Sequence, residues 1–93
     1  MDVEYTAEAR LDVLNALDYY EEQQKALAVD FYNELIATEE AIRDMPDFWH
    51  LVGKKYRRKH LKRYPYSIVY LTRPDQILIV AVAHSSRKPN YWR

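Results

Sequence analysis

The chain contains no cysteine, which excludes a disulfide framework and thiolate chemistry of any kind. It has no apolar run near the roughly 18 residues that span a bilayer. The longest such run, Ile77 to Ala83, is a strand's length. The first residues, Met-Asp-Val-Glu, lack the basic and apolar regions of a signal peptide. Glycine occurs once, at Gly53, so the chain carries little of the punctuation that usually marks turns. Low-complexity sequence is also absent, and an apolar fraction of 48% argues for a folded globule rather than a disordered chain. These absences predict one domain over residues 1–93, soluble and cytoplasmic, with a single core and little stability to spare.

Two kinds of site chemistry find little support. His50, His60 and His84 show no metal-ligand spacing, and the acids read as solvated helix faces. Ser67, Ser85 and Ser86 have no strained nucleophile turn around them, and the second half of the chain offers only Asp75 as the acid of a triad. Neither a metal nor a cofactor is expected.

What the chain does have is charge divided by position. Its formal net charge is zero, but residues 1–50 hold 13 acids against three bases, and residues 51–93 hold 11 bases against Asp75. The stretch KKYRRKHLKRYPY, residues 54–66, contains half of all the basic residues. Acidic helices lying against a basic sheet would neutralise themselves. Alternatively, the basic face meets an anionic partner such as nucleic acid or an acidic peptide.

Val3-Glu4-Tyr5 predicts a short first strand, followed by Thr6 as the N-cap of a helix. Leu11, Leu14 and Leu17, with Val13 and Tyr20, predict the apolar face of that helix to about Gln23. Ala28, Phe31, Leu35, Thr38, Ile42 and Met45 mark a second helix, stopped by Pro46. One helix over residues 7–45 would be roughly 58 Å long, too long for the domain. A hairpin turning near Gln24–Leu27 is expected instead, although no Gly or Pro marks it.

After a loop with Phe48, Trp49 and Gly53, the period falls to two. Tyr56 to Arg63 predicts a basic strand at the sheet surface or edge. Tyr66 to Leu71 and Ile77 to His84 predict a hairpin about Arg73-Pro74-Asp75-Gln76, with Ile77 to His84 central. The fold class is therefore α+β, a helical hairpin on one face of a small antiparallel sheet, the other face partly open and basic.

The ending AHSSRKPNYWR brings His84, Arg87 and Lys88 out beside the basic strand, followed by Tyr91 and Trp92. Bases and aromatics together can stack on and neutralise a nucleic acid, or the aromatics can fold back as a plug. Metal-free RNA cleavage needs a base, a cation on the phosphate and an acid, and His84, Arg87 and Tyr91 are candidates for those roles.

Three segments carry a resemblance: DYYEEQ on the first helix, KYRRKHLKRYPYSIVYLTRPDQILIVAVAH through the sheet, and RKPNYW at the end. From Thr6 to Trp92 the chain resembles the RelE/ParE superfamily of toxins from type II toxin–antitoxin modules. RYPYSIVY and the H-x-x-R-x-P-x-Y-W ending are its most specific parts. A departure lies at QQKALA, where relatives often have a glycine-containing break. RelE-like members cut mRNA on the ribosome with basic residues across the sheet and a terminal aromatic. Many of them carry Arg where this chain has Ser67, and the pattern here resembles ParE-like toxins more.

The resemblance implies a growth-inhibiting toxin that binds and poisons DNA gyrase, without catalysis of its own, within a hetero-oligomer with a cognate antitoxin. Arg57, Arg58, Lys59, Lys62, Arg63, Arg87 and Trp92 are the expected target- or antitoxin-binding residues. The alternative is a ribosome-dependent endoribonuclease using His84, Arg87 and Tyr91, with Arg58 beside them. A third is a non-toxic relative that only binds its antitoxin.

Overall fold

The computed structural model describes residues 1–88, Tyr91 and Trp92; Pro89 of the terminal motif lies outside the described residues. Strand β1 (Asp2–Tyr5) leads into helices α1 (Ala7–Gln23) and α2 (Lys25–Asp44). Strands β2 (His50–Val52), β3 (Tyr56–His60), β4 (Tyr66–Arg73) and β5 (Gln76–His84) follow. They form one five-stranded sheet in the order β1-β5-β4-β3-β2. The architecture is α+β, as the periodicities predict.

Thr6 begins α1 as anticipated: its backbone is extended, and its Oγ1 accepts a hydrogen bond from Ala9 N–H at 3.1 Å. The helix break falls on one residue. Gln24 has φ −167° and ψ 127°, extended backbone open to any residue type, so no glycine is required. Its N–H still donates to Tyr20 O and its carbonyl accepts from Leu27 N–H, both at 2.9 Å, so the turn leaves these groups paired. Gly53, at φ 70°, turns β2 into β3 in the left-handed region that glycine enters without strain.

Three expectations about the sheet need correcting. β1 pairs in parallel with β5, Val3 opposite Ile77 and Tyr5 opposite Ile79, so the sheet is mixed. The basic strand β3 is not the edge, because His50–Val52, expected as loop, pairs antiparallel with it. Three residues of β2 are too few to show a period of two. β5 is interior only in its first half: β1 ends opposite Ile79, and β4 is the middle strand.

The core lies between the helices and one face of the sheet. Phe31, Leu35 and Ile42 of α2 pack with Ile68, Tyr70, Ile77, Ile79 and Val82. Met45, expected in that stripe, is exposed beyond the helix end. On α1 the predicted face holds for Tyr20, which is buried, and for Val13 and Leu17, which pack against the core, but not for the other two leucines. Leu11 and Leu14 are 57% and 58% exposed, and the buried positions are Ala9, Ala16 and Tyr20. Small residues bring α1 close to β5, whereas Leu14 lines a groove between the helices with Val13, Tyr32 and Ile36. Phe31 stands at the centre of an aromatic cluster, with ring centroids 5.3 Å from Tyr20, 5.3 Å from Tyr64 and 5.2 Å from Tyr66.

Candidate interaction surface

Alternation along β3 divides its basic residues between two faces. Arg57 and Lys59 lie opposite Tyr70 and Ile68, both core residues, and so face the helices. Arg58 and His60 lie opposite Val69 and Ser67 on the other side of the sheet. One charged stretch thus becomes two surfaces with different surroundings.

On the helix side the cations are engaged. Arg57 Nη1 donates to Trp49 O at 2.8 Å, and Lys59 Nζ sits 3.9 Å from the centroid of the Trp49 ring. Arg63 reaches the acidic half of the chain: Nε donates to Glu34 Oε1 at 3.0 Å and Nη2 to Asp30 Oδ1 at 2.9 Å. The Arg63 N–H adds a bond to Glu34 Oε2 at 2.9 Å. Tyr64 donates its hydroxyl to Asp30 Oδ2 at 2.7 Å, which with the Arg63 guanidinium holds the Asp30 carboxyl below the usual carboxylate range. Burial and that same bond push the Tyr64 hydroxyl up to about 12. Lys62 lines a cavity with Glu34, Trp49, Lys59 and Arg63.

The tail side brings together residues that the sequence places far apart. Arg58, His60, Ser67, His84, Arg87, Lys88, Tyr91 and Trp92 all line one cavity of about 290 Å³. Ser67 Oγ and His60 Nδ1 are 2.6 Å apart. Burial, and then the charges of Arg58, His50 and Lys59, hold the His60 ring below its ordinary pKa. The Arg87 guanidinium lies over the Tyr91 ring, 3.9 Å from its centroid. Trp92 is half-buried against Tyr56, with ring centroids 6.1 Å apart, so it is neither a core plug nor a free tail. Among the described residues no group of His, Asp and Glu could hold a metal ion.

Asp12 organises this side, and sequence reading missed it. With β1 ended, the Val82 N–H has no strand partner on that side, and Asp12 Oδ2 accepts from it at 3.0 Å. The same oxygen accepts from the Tyr91 hydroxyl at 2.7 Å, and Arg87 Nη1 lies 4.0 Å from Oδ1. Burial and this contact raise the Tyr91 hydroxyl well above its ordinary range. The side chains of Asp12 and Glu34 are only 11% and 9% exposed, so these acids are not the solvated face expected of them. Nothing in the spacing of residues 12, 82 and 91 announces such a contact.

Comparison with other proteins agrees with this architecture. No curated protein matches the sequence. In structure the chain is similar to one from the chromosomal ParDE toxin–antitoxin system of P. aeruginosa, with a TM-score of 0.80. That likeness covers 90% of this chain and 95% of the other at 16% identity, and it speaks for the fold. Residues 3–89 match the family described as "ParE toxin of type II toxin-antitoxin system, parDE". The match takes in both helices, all of β2 to β5 and the start of the tail, and the chain therefore belongs to the ParE toxin family of type II toxin–antitoxin systems.

Proposed function

We propose that this ParE-family chain arrests growth by binding and poisoning DNA gyrase in the cytoplasm, and that a cognate antitoxin neutralises it. The observation that carries the reading is the family match over residues 3–89, joined to the placement of the chain's cations. Arg63 is tied to Asp30 and Glu34, and Arg57 to Trp49 O, whereas Arg58 forms no ion pair among the described residues. Arg58, Arg87 and Lys88 therefore supply the positive field of the tail side, next to Tyr91 and Trp92. An acidic antitoxin segment laid over that side would neutralise the charge and cover the aromatics together.

Two contacts favour binding over ribonuclease chemistry. His84 Nδ1 accepts the Ser86 N–H at 3.0 Å and lies 2.8 Å from Ser86 Oγ, which occupies the nitrogen a general base would use. The Tyr91 hydroxyl is committed to Asp12. The test adds antitoxin-free protein to gyrase, ATP and plasmid DNA and scores supercoiling and trapped double-strand breaks. Inhibition with trapped breaks, weakened by Arg58→Glu, is the expected result. Intact supercoiling at excess protein, with mRNA cut inside translated codons in a translation reaction, overturns it.

A further inference from the structure

The tail-side cavity has the chemistry of a small-anion site. Three cations converge on it from two segments, Arg58 from β3, and Arg87 and Lys88 from the stretch after β5, and among the described residues no carboxylate lines it. Arg87 is the least available, since Asp12 lies 4.0 Å from it. Arg58 differs from Arg57 and Arg63 in one respect. Its Nε–H is shut off from solvent and meets no acceptor among the described residues. A buried charged donor without a partner is expensive to maintain, and such groups usually mark a missing ligand, ion or water. His60 and Ser67 offer further polar atoms at the same wall.

Size and surroundings narrow the ligand. At about 290 Å³ the cavity sits at the small end of ligand sites, which run from roughly 300 to 1,000 Å³. A dianion answers three converging cations better than a carboxylate does. Tyr91, one face of which carries Arg87, and Trp92 border the same cavity, and aromatic rings are the surfaces on which a base stacks. We propose that the cavity binds the phosphate group of a nucleotide, with Arg58 as the principal donor and the tail aromatics against the base. A free mononucleotide and the phosphorylated end of a strand share this chemistry. The inference stands apart from gyrase poisoning, and its failure would leave that reading untouched.

The experiment titrates the ¹⁵N-labelled full chain with AMP, with adenosine, and with a dinucleotide bearing either a 5′-phosphate or a 5′-hydroxyl. The Arg58 Nε–H resonance is followed throughout. Saturable shifts with AMP or the 5′-phosphorylated dinucleotide, and none with adenosine or the 5′-hydroxyl form, are expected. Whichever of the two binds more tightly identifies the source of the phosphate. Loss of a charge-assisted bond in Arg58→Gln should weaken binding by about tenfold or more. Arg58→Lys, which keeps the charge but lacks the Nε–H, should also weaken it and serves if Arg58→Gln fails to fold. Lys54→Gln at the far hairpin should change affinity by no more than about twofold. An unmoved Arg58 Nε–H, adenosine binding as tightly as AMP, or equal losses from Arg58→Gln and Lys54→Gln would overturn the proposal.

Discussion

Asp12 on the first helix accepts a hydrogen bond from the Tyr91 hydroxyl, 79 positions later, at 2.7 Å. The same carboxylate closes the open side of β5 at the Val82 N–H. One residue thus satisfies a backbone donor where β1 runs out and anchors the aromatic tail above the sheet.

Removing that carboxylate should act on both. Asp12→Ala leaves the Val82 N–H and the Tyr91 hydroxyl without their acceptor, a loss of about 1–3 kcal/mol in unfolding free energy. Asp12→Asn keeps one acceptor oxygen and should lose less. Denaturant unfolding measures the stability, and Trp92 emission in a Trp49→Phe background reports release of the tail.

Thr6 tests the entry to α1. Thr6→Ala removes the bond from Ala9 N–H and should destabilise the fold by about 1 kcal/mol, whereas Thr6→Ser should stay close to the parent. Equal losses in the two variants would mean that the methyl group, not the cap, stabilises this turn.

Phe31 is fully buried at the centre of the aromatic cluster. Phe31→Ala should cost about 3–5 kcal/mol, a large share of the roughly 5–15 kcal/mol available to a small domain. Phe31→Leu should cost less. Exposed Leu11→Ala is the control and should change thermal stability little, as surface substitutions generally do.

Six tyrosines, Tyr5, Tyr20, Tyr64, Tyr66, Tyr70 and Tyr91, have hydroxyls raised above their ordinary value, chiefly by burial. In each case the neutral form is favoured in the folded state. The stability they contribute is complete below pH 10 and is lost as pH rises through the folded values. Tyr70, raised to about 12 and donating to Pro46 O at 2.7 Å, is one of the later to ionise. Unfolding free energy should therefore fall steeply above pH 10, together with the tyrosinate absorbance. His60 works in the opposite direction. Its lowered pKa gives stability present above pH 6.5 and lost as pH falls through the folded value, and His60→Gln should remove that slope.

Much of the fold was legible because local periodicity reports burial on one side. Ala28, Phe31, Leu35, Thr38 and Ile42 appear in the sequence at helical spacing and are buried in the structure. The apolar run Ile77 to Ala83 did identify β5. The helix break was legible only as a length argument, since Gln24 turns the chain in a conformation that leaves no residue signature. Leu11 and Leu14 misled because hydropathy cannot tell a core face from an exposed one, whereas Ala9 and Ala16 are chosen by the closeness of β5.

By itself the sequence determined the α+β class, the capped first helix, the alternation of β3 and β4, and the separation of acid from base. Those properties depend on neighbours within a turn or a strand. Tertiary structure decided which cations are engaged and which converge. The pleat sends Arg57 and Lys59 toward the helices but Arg58 and His60 toward the tail. Pairings such as Asp12 with Tyr91 and Glu34 with Arg63 join residues 79 and 29 positions apart. They exist only because the packed core fixes where each element lies, and no local pattern records that.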